Sequence, residues 1–448
     1  MTHRYAAKRL PQHAGVAAWN EILGQRPPPQ VLEDDIRSDY TVVGAGFAGL
    51  AAARRLSQLN PGAKITVLDA GRVGEAAAGR NSGFMIDLPH ELTSTNYAGE
   101  EEGRDRKMIA LNRLAIGFAQ VAVDEYGIDP NFFDRAGKVN GAATETGHEQ
   151  NISYAAHLAG LNEGYEMLDA QAMADLTGSR YYRSGLYTPG TVMLQPAGYV
   201  RGLAAGLSKY AQVFEKSPVL EFIRQGDCWL VKSREGSVST DRIILSNNGH
   251  LESFGFKRGR LMHIFLFASM TEELDSGGLK RLGGRSRWGI TPSDPMGTTM
   301  RRIDTAQGGN RIVTRTCAEF RPDMKTTESQ MTRATKVMRR KFDDRFPQLA
   351  GVRMEYVWSG HLCLSRNAVS VVQELDTGVF SACVQNGLGT TRGTLTGIAA
   401  AEMANGVSST VTEFFSQEQE PTRLPPPPIS TLGATAVLRW KEWRARDE

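Results

Sequence analysis

The alternation of apolar and glycine-rich stretches near the amino terminus predicts one supersecondary unit. An apolar run at residues 40–43 is followed by a glycine-rich turn at 44–49 and by a helix-like run at 50–56. A second apolar run, at residues 65–68, ends directly at Asp69. Short apolar runs rich in β-branched residues favour buried strands. The pattern therefore predicts a strand, a glycine turn, a helix and a second strand that ends in an acid.

The turn has the glycine spacing of a dinucleotide-binding fingerprint. Gly44 permits a tight turn, Gly46 lets the backbone approach a pyrophosphate, and Gly49 lets the helix lie close to the strand. Phe47 and Ala48 would begin that helix, whose unpaired N–H groups attract phosphate oxygens. The alternative is a fortuitous glycine turn in another kind of α/β unit.

The residues after the second strand continue the same predicted site. Asp69 lies about twenty residues beyond the last glycine, where an acid binds ribose hydroxyls in such domains. Ala70 and Arg72 follow it and belong to the same predicted contact. Residues 71–84 are small, polar and glycine-rich, which predicts an extended segment that crosses a flat group. An Ala/Gly surface loop is the alternative interpretation.

Three further segments have helical periodicity. Residues 103–126 place apolar side chains at helical spacing, and residues 329–346 form a basic amphipathic pattern. The basic face predicts a solvated surface, with an acidic partner as the alternative. Residues 434–446, after four prolines at 425–428, predict a helix that carries two tryptophans. We expect this tail to dock on the protein's own body or on a partner subunit, and a membrane surface is a weaker alternative.

Composition excludes several classes of protein. The 448 residues carry a formal net charge of +3, which is not the electrostatic footprint of a nucleic-acid-binding protein. The four cysteines are widely spaced and form no Cys/His cluster, so we expect neither a disulfide framework nor a metal site. No apolar run reaches the roughly 18 residues of a transmembrane helix. A soluble cytoplasmic protein is therefore expected.

The segment at residues 79–83, Gly-Arg-Asn-Ser-Gly, resembles the segment that crosses the isoalloxazine ring in the FAD-dependent D-amino acid oxidase superfamily. Its Gly-Arg-Asn-x-Gly form is most similar to the γ-glutamylputrescine oxidoreductase branch. That branch usually has a serine where this chain has Ala78, which removes one expected hydroxyl contact. The resemblance implies cofactor contacts at Gly79, Arg80, Asn81, Ser82 and Gly83.

Later segments are similar to the same family, in the family's order, over residues 38–420. The pair Gly387 and Gly389 resembles the closing Gly-x-Gly loop, where a helix N-terminus faces the O2 and N1 edge of the flavin. The family's attaching cysteine aligns with Gly360 and its attaching histidine falls near Asn81, so the resemblance implies non-covalent FAD. Further implied cofactor contacts are Val219, Asn247, Gly249, Gly360, Gly387, Leu388, Gly389, Thr390 and Thr391.

The fold implied by the resemblance is α/β. It consists of a Rossmann-like FAD-binding domain, assembled from discontinuous segments, and a substrate domain with a mainly antiparallel sheet. The predicted boundaries are a surface extension at 1–37, the FAD-binding domain at 38–125 with 186–255 and 356–420, the substrate domain at 126–185 with 256–355, and a tail at 421–448.

The activity implied by the resemblance is oxidation of a C–N bond in a primary or secondary amine or amino-acid derivative. Hydride would pass to flavin N5, and the resulting imine would hydrolyse. Oxygen or another acceptor would then reoxidise the flavin, and a homo-oligomer is left open. The alternative is a flavin-binding subunit of a larger electron-transfer complex without its own turnover.

The catalytic candidates are His361 and Arg302. Relatives that oxidise simple α-amino acids often carry a carboxylate-binding arginine after a Trp-x-Gly segment, where this chain has His361. Arg302 and Arg392 are the candidate replacements, with an ordinary salt-bridge or helix role as the alternative. His361 would face the flavin or be a satisfied core histidine. His90 and His263 are weaker candidates. Without the usual clamp, a larger amine is expected to be the substrate.

Overall fold

Two large β-sheets organise the chain, and the glycine turn after residue 43 belongs to the first of them. The computed structural model describes residues 3–89, 98–99 and 101–448. In chain order the strands are β1 (Arg4–Ala6), β2 (Asp35–Val43), β3 (Ile65–Leu68), β4 (Phe84–Met85), β5 (Phe133–Asp134), β6 (Lys138–Ala142), β7 (Glu166–Leu168), β8 (Ser184–Thr188), β9 (Val192–Leu194), β10 (Gln212–Phe214), β11 (Glu221–Gln225), β12 (Cys228–Lys232), β13 (Ser237–Leu245), β14 (Leu261–Thr271), β15 (Trp288–Pro292), β16 (Thr299–Ile303), β17 (Arg311–Phe320), β18 (Met354–Ser365), β19 (Glu374–Asp376) and β20 (Val379–Ser381).

The helices lie between these strands and at the carboxyl-terminal end. In chain order they are α1 (Ala18–Glu21), α2 (Phe47–Leu59), α3 (Glu102–Tyr126), α4 (Glu145–Gly160), α5 (Ala170–Thr177), α6 (Pro196–Leu207), α7 (Ser276–Leu282), α8 (Glu328–Arg345), α9 (Thr391–Ala404), α10 (Thr410–Ser416) and α11 (Ile429–Arg444). The predicted strand–turn–helix–strand unit is confirmed, as are the helices expected near residues 103–126 and 329–346.

The first sheet has the order β1-β11-β12-β13-β2-β3-β10, and β20 pairs with β13 beside β12. Strands β10, β3, β2, β13 and β20 are parallel to one another, whereas β1, β11 and β12 add an antiparallel edge. Helices α2 and α9 pack together over one face, where Val42, Leu50 and Ile398 belong to one buried cluster. The parallel strands come from three separated parts of the chain, so the predicted discontinuous Rossmann-like α/β fold is confirmed.

The second sheet has the order β18-β14-β17-β16-β15-β6-β8-β7 and is antiparallel except between β15 and β6. Helix α8 covers one face, where Phe265 and Phe267 pack against Ala334 and Met338. The opposite face is turned towards the first sheet. The expected mainly antiparallel sheet is confirmed, and its uncovered face is available to line a cavity.

Two predicted boundaries differ from the sheet assignments. Strand β18 belongs to the second sheet throughout, because it pairs with β14 from Leu261↔Ser365 to Thr271↔Met354. The boundary at residue 356 therefore cuts a strand of the substrate side, and the boundary at 186 cuts β8 in the same way. The local pattern at the start of β18 does not encode its partner, which lies about ninety residues away in the sequence.

The predicted surface extension is also corrected. Strand β1 pairs with β11 of the first sheet, and Trp19 is fully buried. The Ala14 carbonyl accepts a hydrogen bond from the Ser359 N–H at 3.0 Å. The extension is therefore tied to both sheets, with residues 17–20 and Leu32 buried and many of its other described residues exposed.

The carboxyl-terminal helix α11 starts earlier than predicted and docks on the second sheet of its own chain. Its two tryptophans face outwards, with Trp440 54% and Trp443 62% exposed. Docking on the protein's own body is thus observed, but it uses the face opposite to the tryptophans. Among the helices of the described residues, none combines the length and apolarity needed to cross a bilayer.

Candidate active site

A cavity of about 910 Å³ extends from the carboxyl ends of β2 and β13 to the uncovered face of the second sheet. Ligands of open α/β sheets bind outside these strand ends, at the point where strand order reverses. The structure brings most of the predicted cofactor residues to its wall. Those that line it are Gly44, Gly46, Phe47, Ala48, Asp69, Ala70, Arg72, Arg80, Asn81, Ser82, Gly83, Val219, Asn247, Gly360, Gly387, Leu388, Gly389 and Thr390.

The glycine turn shapes one end of this cavity. Gly44 has φ +107°, and a Cβ at Gly49 would overlap the Gly44 carbonyl, so both positions require glycine. A Cβ at Gly46 would instead point into open space, since its nearest neighbour among the described atoms is Ala78 Cβ at 3.7 Å. Gly46 caps helix α2, and no side chain in the described part of the chain caps that end. The first N–H groups of α2 are therefore available to an anionic ligand.

Asp69 is buried at the end of β3. Its carboxylate accepts hydrogen bonds from the Ala45 N–H at 2.7 Å and the Gly71 N–H at 2.9 Å. Burial raises the pKa of this carboxyl, and the two backbone donors oppose that shift. Each oxygen keeps a further lone pair, so the group can also accept hydrogen bonds from a ribose diol.

Arg80 ties the extended segment to the core instead of offering its charge to the cavity. Its guanidinium donates to the carbonyls of Glu75 at 2.5 Å, Gly15 at 2.8 Å and Ser359 at 3.1 Å. Burial lowers the pKa of Arg80 to about 10. Asn81 acts similarly, because its Oδ1 accepts from the Gly83 N–H at 2.8 Å. These bonds hold residues 79–83 extended along the cavity.

Arg301 supports the same segment and was not singled out from the sequence. It is fully buried, donates to the carbonyls of Ser82 at 3.1 Å and Leu194, and lies 5.0 Å from the Trp19 ring. A Cβ at Gly83 would overlap its guanidinium, so this glycine is required by the close approach of Arg301. Burial lowers the pKa of Arg301 to about 9. Arg301 therefore supports residues 79–83 from the side away from the cavity.

The predicted catalytic residue Arg302 lies elsewhere. Successive side chains of a strand point to opposite faces, so Arg302 is directed away from the side that Arg301 faces. It donates to the Gly283 carbonyl at 2.5 Å and does not line the cavity. Arg392 is likewise occupied, by Ser370 Oγ at 2.7 Å and by an ion pair with Glu418. Neither arginine is placed to clamp a substrate carboxylate.

The closing loop forms the third side of the cofactor end. Gly387 has φ +90°, and no described atom lies within 4 Å of a Cβ built on Gly389, so the loop backbone faces open space. Thr390 is the N-cap residue of helix α9, and its hydroxyl donates to the Phe84 carbonyl at 2.7 Å. Within the described residues no side chain caps this helix, although the Arg392 N–H donates to the Leu388 carbonyl at 2.9 Å, and the positive end of the helix dipole lies at the cavity.

Four predicted cofactor residues do not line the cavity: Gly49, Gly79, Gly249 and Thr391. Each serves packing around it. A Cβ at Gly79 would overlap the Gly74 carbonyl, and the Thr391 hydroxyl donates to the Ile86 carbonyl at 3.0 Å. A Cβ at Gly249 would lie 2.8 Å from the His361 ring, so this glycine makes room for the histidine.

His361 lines the cavity and belongs to a hydrogen-bonded chain. Glu252 Oε2 lies 2.7 Å from His263 Nε2, and His263 Nδ1 lies 3.2 Å from His361 Nε2. Interaction with His263 keeps the pKa of Glu252 below its ordinary value despite burial, so the carboxylate is ionised. Burial, followed by the charges of His250 and His263, lowers the pKa of His361 well below its ordinary value. The imidazole of His361 is therefore neutral at physiological pH. His90 lies outside the described residues.

The chain of bonds assigns the tautomers. Because the Glu252 carboxylate can only accept, His263 Nε2 carries a proton, and in the neutral state of His263 its Nδ1 accepts from His361. His361 Nε2 is then the donor, and its Nδ1 keeps a free lone pair. Cys363, two residues further along β18, is buried, and burial raises the pKa of its thiol well above the ordinary value. His361 pairs directly with Phe265 of β14 and stacks on its ring at 5.1 Å, so its imidazole lies on the face of the sheet that α8 covers, opposite to the face of Gly360.

These features fit FAD. The open space over Gly46 and the uncapped start of α2 suit a pyrophosphate, Asp69 suits a ribose, and the segment at residues 79–83 with the start of α9 bounds a flat, elongated space. Within the described residues, no group of three or more His, Cys, Asp or Glu side chains is placed to hold a metal ion.

Comparison with known proteins agrees with this geometry. The model of the FAD dependent oxidoreductase (DAO) family matches residues 39–403. The "Probable oxidoreductase OrdL" of Haemophilus influenzae is 25% identical over 393 residues, covering 86% of this chain and 85% of that protein. The "Gamma-glutamylputrescine oxidoreductase" of Escherichia coli is 24% identical over 407 residues, covering 85% and 86%.

A solved structure shows the same fold. The glycine oxidase from Geobacillus kaustophilus superposes with a TM-score of 0.70 at 15% identity, covering 87% of this chain and all of that one. The match of the family model spans most of the chain, which confirms the resemblance of the glycine turn and the isoalloxazine segment. The chain belongs to the DAO family of FAD-dependent oxidoreductases, which act on amino acids or amines, and its cofactor is FAD.

Proposed function

We propose that this protein oxidises a C–N bond in a primary or secondary amine or amino-acid derivative to an imine, which water then hydrolyses. The observation that carries the proposal is the continuity of the cavity, which joins the cofactor end at Gly46 to the uncovered face of the second sheet beside Gly360. Bound FAD would supply the hydride acceptor for this reaction. The E. coli relative is named for a glutamylated amine, which supports a substrate of this class.

The substrate is a larger amine rather than a small free α-amino acid. The two positions where the family often carries carboxylate-binding arginines are occupied by His361 and by Gln385-Asn386. Gln385 donates to the Ala382 carbonyl at 2.9 Å, and Asn386 Oδ1 accepts from the Ser365 N–H at 2.8 Å. Both side chains are therefore committed to the fold. No bidentate clamp for an α-carboxylate is placed at either of these described positions.

The substrate nitrogen lies beside Gly360, on the uncovered face of β18, and the neutral imidazole of His361 lies behind that strand. The amine must be neutral for its lone pair to assist departure of hydride. Basic side chains along the cavity, among them Arg9, Arg315 and Arg366, favour that neutral form because like charges lower the pKa of an ammonium group.

The alternative is a flavin-binding subunit without its own turnover. The observation that favours it is the apolar outer face of α11, where Leu432 is 69% exposed beside the two exposed tryptophans. Such a face is suited to contact with another protein. In that role the flavin would exchange electrons with other subunits of a complex, and this protein would not itself oxidise an amine.

Anaerobic mixing separates the two functions. The purified yellow protein is mixed with γ-glutamylated and N-alkylated amines, and with glycine and D-alanine, while flavin absorbance is recorded. We expect near-stoichiometric bleaching by the larger amines and much slower bleaching by the small α-amino acids. Equal rates for both groups would contradict the proposed substrate class. Absence of bleaching by every amine, with full cofactor content, would favour the subunit role.

A further inference from the structure

We propose that helix α11 closes the substrate end of the cavity and that Lys441 binds an anionic group of the substrate, remote from the oxidised carbon. This inference rests on the proposed amine oxidation and specifies its substrate class. The substrate would be an amine with an apolar body and a carboxylate, or another anion, at its far end.

The inner face of α11 lines the same cavity as the glycine turn. Ser430, Ala434, Leu438 and Lys441 recur at intervals of four, four and three residues, which places them on one side of the helix. Ala434 and Leu438 also pack into an apolar cluster that is built on the uncovered face of the second sheet. The helix is thus a wall of the cavity rather than an appendage of the surface.

The cluster lies at a distance from the cofactor end. On β18, a Cβ at Gly360 would lie 3.4 Å from the Arg80 carbonyl, beside the isoalloxazine segment. Leu362 and Leu364 follow on the same face of the strand and join the cluster that contains Leu438. At ~3.3 Å per residue they lie about 7 and 13 Å beyond Gly360. A substrate whose nitrogen is near Gly360 must therefore span an apolar stretch to reach α11.

The helix is anchored to the second sheet by polar contacts on its other sides. Cys317 has φ +63° and interrupts the register of β17, and the next N–H, that of Ala318, donates to Glu442 at 2.8 Å. Arg444 pairs with Asp294 at 3.0 Å. The Glu448 side chain accepts from the Thr144 N–H at 2.9 Å. These contacts hold α11 against the carboxyl-terminal part of β17, beyond the end of its pairing with β16 at Arg315, which fixes Lys441 in the cavity wall.

Lys441 is a cation of the α11 wall that its own surroundings leave unpaired. It is half-buried, and its ammonium makes no hydrogen bond or ion pair with any residue in 3–89, 98–99 or 101–448. Its neighbour Glu442 is occupied by Ala318, Arg333 and Arg439.

The remaining charges along the cavity favour the same kind of ligand. Among the described residues that line it, Asp69 is the one acid, and it lies at the cofactor end. The basic residues are Arg9, Arg72, Arg80, Arg315, Arg366 and Lys441, of which Arg80 is bound to backbone carbonyls and Arg72 is paired with Glu215. A cationic, largely apolar chamber attracts an anion and orients it by its charge.

The test uses ligands that contain no oxidisable amine. The full-length flavoprotein is titrated with straight-chain alkanoates from butanoate to octanoate and with the corresponding amides, and binding is followed by the absorbance of the bound flavin and by calorimetry. Wild type should prefer the carboxylates. Lys441→Gln should weaken carboxylate binding about tenfold, the loss of one charge-assisted hydrogen bond, and should leave amide binding unchanged. Lys441→Arg should retain most of the preference.

The matched control is Arg446→Gln, which removes the same charge from an exposed position two residues beyond the helix. It should retain the wild-type preference. The inference is overturned if wild type shows no preference for carboxylates, or if the preference survives in Lys441→Gln. Because these ligands are not turned over, failure of amine oxidation would leave the binding comparison readable, and the two hypotheses fail separately.

Discussion

His263 Nδ1 lies 3.2 Å from His361 Nε2, with Glu252 2.7 Å from the other nitrogen of His263. The pair holds a neutral imidazole behind β18, on the face of the second sheet that α8 covers. A local sequence pattern identified His361 as a candidate, but the tautomer follows from side chains contributed by β14 and by residues 248–254.

Two buried histidines, His250 and His361, predict how the stability of the protein depends on pH. Burial lowers the pKa of His250 to about 4 and that of His361 well below its ordinary value. The unfolded chain binds these protons near pH 6.5 whereas the folded chain does not, so the stabilising contribution is present above pH 6.5 and is lost as pH falls towards 4. The slope is about 1.4 kcal/mol per pH unit for each such histidine. Urea unfolding at pH 4.5–7.5 measures it.

The conservative variants His250→Gln and His361→Gln should each reduce that slope by roughly one histidine's share, because the side chain that resists protonation is gone. Both should keep their flavin. An acid limb that is identical in wild type and both variants would contradict the assignment of the slope to these two residues.

The glycine turn predicts a specific loss of cofactor. Gly46 has φ −91°, which a leucine adopts without strain, and its Cβ direction is open. Gly46→Leu should therefore fold but fill the space of the pyrophosphate, so that the purified protein is colourless. Flavin content per polypeptide and far-UV circular dichroism measure the two properties.

The matched control is Gly117→Leu, on the exposed side of α3, where no described atom lies within 4 Å of the new Cβ. It should keep full flavin content. A yellow Gly46→Leu protein with wild-type flavin content would remove the basis for placing the pyrophosphate at this turn. In wild type, acid or heat should release the flavin, since we propose non-covalent binding.

Arg301 and Arg302 predict opposite outcomes from the same substitution. Arg301→Met leaves the carbonyls of Ser82 and Leu194 without their buried donor, and we expect a loss of about 1–3 kcal/mol in stability for each carbonyl, together with weaker FAD binding. Arg302→Met removes a bond to Gly283 outside the cavity and should leave the FAD affinity unchanged. Denaturant unfolding and flavin titration of the apoproteins compare them. Equal flavin affinities would argue against a supporting role for Arg301.

Deletion of residues 430–448 should lower the melting temperature while the protein still binds FAD. The deleted helix is anchored to the second sheet through Glu442, Arg444 and Glu448, whereas the glycine turn and Asp69 belong to the first sheet. Melting and sedimentation beside the full-length protein measure stability and mass. Unchanged melting and mass, with loss of liposome binding, would support the membrane-surface alternative.

The sequence by itself determined the first sheet's cofactor end, because that end is encoded locally. The spacing of Gly44, Gly46 and Gly49 and the acid at Asp69 lie within one strand–helix–strand unit, in which neighbours in sequence are neighbours in space. The composition of residues 79–83 likewise carried the resemblance to the family. Helix and strand periodicity predicted most elements, and the sheet built from separated segments followed from the family order.

Only the tertiary structure decided which side chains support and close the cavity. The choice between Arg301 and Arg302 depends on which face of β16 is turned inwards, and β18 is assigned to the second sheet by a pairing with distant β14. Helix α11 docks by its inner face, where Glu442 accepts the Ala318 N–H at the irregularity of β17 beyond its pairing with β16. That is a long-range contact which no local pattern of apolar and charged residues specifies.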